Sequence, residues 1–189
     1  VSFLDKLMGR TKPVQPDLDQ LFAVPDAAIT LESSSGFKPT GHGSVCFRAA
    51  EGGAFASMQS DIQALLDADG GPKVEVSHDS FGYTWLLATH DPSELSDLVT
   101  ELHAANTTLE ANGFGPSLLC SLVGFTGPDG QRLGLVYLYK RGTFYPFAPL
   151  EGQKRDNPLE LQIRGVLSND LTVEADLSRW FPVWGAPGF

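Results

Sequence analysis

The sequence predicts an α+β fold, with antiparallel sheet, as one sheet or several, and helices packed over it. Three observations carry that expectation. Helical and strand periodicities alternate along the chain, with one long amphipathic helix set between two hairpin signals. No strand–helix–strand unit opens with a phosphate-binding loop, which disfavours a doubly wound parallel sheet. The hairpin arms 117–126 and 132–140 are apolar on both faces in places, which suits central strands covered by helices or by a partner. The succession of helix then hairpin occurs twice and suggests an internal pseudo-repeat.

The elements follow in order. Residues 2–9 form a short amphipathic run in which Phe3, Leu4, Leu7 and Met8 keep helical spacing, before Pro13 and Pro16 break it. The chain is therefore divided into an N-terminal segment and linker, 1–16, and a single α+β domain, 17–189. A brief helical turn is expected from Asp17, carrying Leu18, Leu21 and Phe22 and stopped by Pro25. Residues 28–31 and 44–48 read as strands, and the Ser-, Gly- and Pro-rich stretch 33–43 between them as loop. Helix 54–68 places Phe55, Met58, Ile62, Leu65 and Leu66 on one face, and 73–78 with 82–89 reads as a hairpin.

The clearest helix is 92–112, with Asp91 as cap, Pro92 at its first position and Glu94 completing a capping box. Its stripe is Leu95, Leu98, Val99, Leu102, Ala105 and Leu109, and Gly113 marks its end. The second hairpin turns at Gly127-Pro128-Asp129-Gly130, with a third arm expected over 143–147. A last helix is expected over 158–168. The tail 176–189 holds Trp180, Phe181, Trp184 and Phe189, too aromatic a set for a free end, and is expected to pack back on the body.

Composition narrows the function. The 189 residues carry 13 basic and 23 acidic side chains, a net charge of −10, which repels phosphate backbones, so no nucleic-acid partner is expected. The first dozen residues are nevertheless net positive, and Lys140, Arg141, Lys154 and Arg155 form a second basic cluster. With no apolar stretch of membrane-spanning length and no signal-peptide pattern, a soluble cytoplasmic protein is expected, with peripheral contact at the inner face of the membrane as an open alternative.

Chemistry is sparse. Cys46 and Cys120 each sit in an apolar run and read as buried thiols; whether they lie near each other is not a property of the sequence. His42, His78, His90 and His103 form no HExxH or close pair, and no CxxC occurs, so no metal, cofactor or catalytic residue is assigned. The most distinctive segment is 137–149. There Lys140 and Arg141 stand among aromatics at strand spacing, and Lys140, Arg141, Tyr145 and Phe147 make a candidate interaction surface; the alternative puts the two rings in the core and leaves only the bases wet.

Several segments resemble one family: the start Ser-Phe-Leu-Asp-Lys-Leu-Met-Gly-Arg from Ser2, Pro-Thr-Gly-His-Gly-Ser-Val-Cys-Phe from Pro39, Leu-Cys-Ser-Leu-Val-Gly-Phe from Leu119, Tyr-Leu-Tyr-Lys-Arg-Gly-Thr-Phe-Tyr-Pro-Phe-Ala-Pro from Tyr137, and Arg-Trp-Phe-Pro-Val-Trp-Gly from Arg179. The chain is identified on these as a member of the PspA-associated PspAB proteins of actinobacteria. The resemblance implies an accessory role beside PspA, the coiled-coil membrane-stress protein of the phage-shock type, and carries over no catalytic residue. PspA or another stress-response protein is the expected partner, with homo-oligomerisation also open. A small-ligand sensor or an enzyme whose site is gathered from distant residues is the alternative function. The opening also looks like the amphipathic start of PspA, which contacts membrane, so the face formed by Phe3, Leu4, Leu7 and Met8 has three candidate docking places: the protein's own body, a partner, or anionic lipid.

Overall fold

The computed structural model describes residues 16–48, 53–68 and 74–189. The amphipathic face of Phe3, Leu4, Leu7 and Met8 lies outside these residues, as do the side chains of Phe55, Met58, Ile62, Leu65 and Leu66. A 3₁₀ turn, Leu18–Ala23, runs straight into helix α1, Val24–Ser35. The expected strand at 28–31 is therefore helical. Val24, Ala27, Ala28 and Leu31 recur at three and four and are all buried, while Ile29 between them is 68% exposed. Pro25 begins this helix instead of ending the previous turn, because its fixed φ suits a first helical turn where no amide donor is needed.

Strand β1 covers Lys38–Arg48, so half of the expected loop is sheet. Its glycines serve close approach. Gly41 has φ 81, its carbonyl accepts the amide of His90 at 2.8 Å, and a Cβ there would run into the His90 carbonyl oxygen. Helix α2, Gly53–Asp67, then leads to the hairpin of β2, Glu75–His78, and β3, Tyr83–Thr89. Helix α3 is Leu95–Ala111, starting three residues later than the sequence suggests. Asp91 spends its carboxylate on the amide and hydroxyl of Ser93, at 2.9 and 2.6 Å, and Glu94 turns towards His90 instead of closing a capping box.

The second half consists of β4, Leu118–Thr126, β5, Arg132–Leu138, and β6, Thr143–Phe147, then the short β7, Pro149–Leu150, and β8, Lys154–Arg155. Helix α4, Asn157–Leu167, is capped by Asp156, whose carboxylate accepts the Leu159 amide at 3.1 Å. Six strands form one sheet in the order β2-β3-β1-β4-β5-β6, every pair antiparallel. The two helix-then-hairpin successions, α2 with β2–β3 and α3 with β4–β5, thus fall on either side of β1.

Alternation along the strands gives the sheet two apolar faces. Val45, Phe47, Leu86, Leu135 and Tyr137 meet α1, α3 and α4 in the larger core. Asn106, buried on α3, ties the layers together by donating to Ser121 Oγ on β4 at 2.8 Å. Cys46, Trp85, Leu122, Val136, Tyr145 and Phe147 point the other way. That second face is covered by the C-terminal tail.

Candidate functional site

The tail reaches the second face by rounding the edge of the sheet. After α4 it runs beside β6, where the Phe144 amide donates to the Thr172 carbonyl at 2.9 Å and the Glu174 amide to the Phe144 carbonyl at 2.7 Å. A 3₁₀ turn, Leu177–Arg179, then sends it across as a strap. Trp180 stacks on Tyr145 with centroids 5.9 Å apart, and Trp184 and Phe189 meet Phe147 edge-on at 5.1 and 5.9 Å. The Tyr145 hydroxyl donates to the Phe181 carbonyl at 2.6 Å. Gly124 leaves room for the strap's end, since a Cβ there would collide with the Gly188 carbonyl.

The strap does not lie flush along its whole length. Between residues 179–185 and the sheet runs a groove of about 890 Å³. Its floor is apolar: Cys46, Trp85, Cys120, Leu138 and Tyr145. Phe81 and Phe181 line it while remaining 53% and 59% exposed. Asp79, Lys140, Arg141, Gln153 and Arg179 supply its polar rim. A bulge next to Cys46 and Cys120 shifts the β1–β4 register there, pairing Phe47 with Leu118.

Three ionisable groups of the groove, Asp79, Cys46 and Tyr145, are shifted away from their ordinary values. Burial pushes the Asp79 carboxyl up, but its hydrogen bonds from the Trp85 indole at 2.9 Å and from the Tyr83 and Phe81 amides at 3.0 and 2.8 Å outweigh this and hold it below the ordinary aspartate value. Cys46 and Cys120 are cross-strand partners, both free. The contact with Cys120, with burial added, drives the Cys46 thiol far upward. Burial, reinforced by Cys120, likewise raises the Tyr145 phenol well above its usual value. Asp79, Cys46 and Tyr145 are therefore not bases or nucleophiles poised near neutrality.

The sequence-derived residues divide. Lys140 is exposed, donating to the Pro116 carbonyl at 3.0 Å, and Arg141 is half-exposed, its Nε 3.1 Å from Glu174 Oε2. Both stand at the groove with Tyr145, whose ring is buried under the strap. Phe147 is buried beside Trp184, with the Arg155 guanidinium 5.1 Å from its ring centroid. The histidines are scattered. His42 lies on β1, His78 bonds Thr84 at 3.0 Å, His90 meets Glu101 at 2.9 Å, and His103 packs on Phe22 beside Asp19. Among the described residues no group of three or more His, Cys, Asp or Glu is placed to hold a metal ion, and no helix is long and apolar enough to cross a membrane.

Sequence reasoning missed the floor, Cys46, Trp85, Cys120 and Leu138, and the facing wall, Phe181 and Trp184. The available signal was that β4 and β5 are apolar on both faces while an aromatic tail remains to be placed.

The chain matches the family described as PspAB, PspA associated protein B, over residues 1–188. No curated protein and no solved structure matches the chain.

Proposed function

The chain belongs to the PspA associated protein B family, and from that premise we propose that it is a non-catalytic accessory protein of the PspA membrane-stress response, acting through protein–protein contact. The observation that carries the reading is the groove: an apolar floor, two exposed phenylalanines at its lip and a basic turn, Lys140 and Arg141, on a chain of net charge −10. Buried apolar area supplies affinity in such a contact, and the local positive charge selects an acidic partner and speeds encounter. The protein then works in the cytoplasm, drawn to the membrane's inner face by its partner.

The test is binding to purified PspA, measured by calorimetry at low and at physiological salt. Replacing Lys140 and Arg141 together by Ala is expected to weaken the complex about tenfold or more. Because Arg141 also holds Glu174, Lys140→Glu on the exposed residue serves as the fold-neutral variant and should weaken it as well. Absence of wild-type binding at low salt, or equal affinity in all variants, would refute the reading.

A second reading, a small-ligand sensor, is favoured by the groove's volume of about 890 Å³, which falls inside the range of small-molecule sites. It predicts a bound small molecule in native mass spectra of protein taken from its own cells.

A further inference from the structure

The groove's floor runs along one line across the sheet. Trp85, Cys46, Cys120 and Leu138 are successive cross-strand partners on β3, β1, β4 and β5, and Tyr145 on β6 closes the row. With strands ~4.8 Å apart, the row is ~14 Å long from Trp85 to Leu138 and ~19 Å with β6 included. The strap follows the same line above it. Trp180 stacks on Tyr145 at one end, and at the other a Cβ added at Gly185 would lie 2.6 Å from the Cβ of Asp79, the partner of the Trp85 indole. Midway, the two small side chains Cys46 and Cys120 stand side by side between Trp85 and Leu138, which keeps the floor low beneath the strap.

The chemistry of this channel changes from end to end. The N–H and O–H donors of its floor are spent, the Trp85 indole on Asp79 at 2.9 Å and the Tyr145 hydroxyl on the Phe181 carbonyl at 2.6 Å. An occupant of the floor therefore gains by burying hydrocarbon, not by hydrogen bonding. At the β5–β6 end stand Lys140 and Arg141, in the turn between those strands, and Arg179, next to Trp180. Each spends only part of its donor set: Lys140 Nζ on the Pro116 carbonyl, Arg141 Nε on Glu174 and Arg179 Nε on Asp176. Glu174 and Asp176 offset two of these charges, whereas Lys140 faces a carbonyl and keeps that end net positive. Asp79, the only acidic side chain among the described lining residues, stands at the opposite, β3 end.

An apolar channel with cationic donors at one end is the complement of a single-chain anionic amphiphile. Carbon–carbon bonds of ~1.5 Å at ~111° advance an extended chain ~1.25 Å each, so ~14–19 Å of floor takes ~12–16 carbons. We propose that the groove binds an amphiphile of the fatty-acid class, with one alkyl chain of about that length and one anionic head. The chain lies across Cys46 and Cys120 towards Trp85, beneath the strap, and the head meets Lys140, Arg141 and Arg179. The proposal rests on the small-ligand reading and gives it a ligand class.

The test is calorimetry of the full chain at neutral pH with monomeric alkyl carboxylates from octanoate to octadecanoate. Dodecyl phosphate, dodecanol and dodecyltrimethylammonium serve as head-group arms. Dodecanoate should bind at least about tenfold tighter than octanoate, because each further buried methylene adds affinity, and octadecanoate no tighter than hexadecanoate. Dodecyl phosphate should match dodecanoate, and the neutral and cationic heads should bind about fivefold more weakly or worse. Dodecanoate should also shift the indole N–H signals of Trp85 and Trp184, which line the groove. Cys120→Leu fills the floor and should block the chain, with Tm reporting on the fold. Lys140→Glu, on the exposed base, should weaken dodecanoate about threefold or more without touching the core. Absence of carboxylate binding, affinity that climbs evenly through octadecanoate, or an equally tight cationic head would overturn the proposal. So would association with anionic phosphatidylglycerol vesicles alone, which would make a lipid surface the partner. A bound molecule of another class in the native mass spectra, with no carboxylate binding, would also overturn it and leave the small-ligand reading standing; no small molecule by either measurement sinks both.

Discussion

Glu174 is the residue on which the strap turns, and its replacement is the most informative test of the fold. Its side chain is nearly fully buried and uses both oxygens: Oε2 accepts from Arg141 Nε at 3.1 Å and Thr143 Oγ1 at 2.8 Å, and Oε1 accepts the Asp176 amide at 3.1 Å. Its carbonyl also takes the Trp180 indole at 2.9 Å, so the carboxylate sits where the chain leaves β6 and begins to cross the second face. Breaking a fully buried ion pair costs about 3–5 kcal/mol, but the Arg141 side chain is 39% exposed and water recovers part of that. We expect Glu174→Ala to destabilise by about 2–4 kcal/mol, or to lower Tm by about 5–12 °C for a chain of this length. Burial pushes the Glu174 carboxyl up, but Arg141 and Thr143 outweigh burial and hold it below the ordinary glutamate value of about 4.3. A depressed folded-state value contributes stability that is fully present above the ordinary range and is lost as pH falls through the folded value. Wild type and Glu174→Gln should therefore differ most near neutrality and converge in acid. Urea denaturation across pH 3–7 reads both effects. A Glu174→Ala loss under about 0.5 kcal/mol, or curves that stay parallel into acid, would refute the reasoning.

Two further tests probe the groove and the strand beneath it. Because contact with Cys120 and burial keep the Cys46 thiol protonated, thiol labelling at pH 7.5 should run at least about tenfold slower in the native protein than in denaturant; labelling complete within mixing time would contradict that state. Gly41→Ala combines φ 81 with a Cβ against the His90 carbonyl and should cost about 2–4 kcal/mol in urea denaturation, whereas an unchanged midpoint would show that β1 bends there freely.

These sites differ in how far the sequence discloses them, and the reason is the range of the interaction. Helix α4 and both hairpins are legible because their signals are local: period-2 alternation, the 127–130 turn, and the helical spacing of Leu159, Ile163, Val166 and Leu167. Helix α1 is hidden because a proline after an apolar turn reads as a stop, although Val24, Ala27, Ala28 and Leu31 hold the three-and-four spacing that seats them on the core. The first half of β1 reads as loop because its Gly-rich composition suits loops, whereas here it answers a backbone approach that only the fold creates. A local signal says what a residue does to its neighbours in the chain, and Gly41 is shaped by His90, far along it.

The groove is the extreme case of the same limit, and it also explains the double character of segment 137–149. Alternation along β6 sends Phe144 to the helices and Tyr145 and Phe147 to the opposite side, which in a sheet with one solvated face would leave both rings wet. They are buried because residues 180–189 cross over them, so the core reading and the surface reading of this segment each hold for part of it: the rings are packed, and the basic turn that follows β5 stays at the groove's edge. Covering a second apolar face with a strap in place of helices has a physical consequence. An irregular strap seats where its aromatics land, at Tyr145 and Phe147, and again at its end, where the Pro187 carbonyl accepts Ser44 Oγ at 3.4 Å, while over Cys46, Cys120 and Trp85 it leaves a groove. The cavity is thus built by the same tail that closes the core, and any occupant has to meet apolar floor and basic rim together.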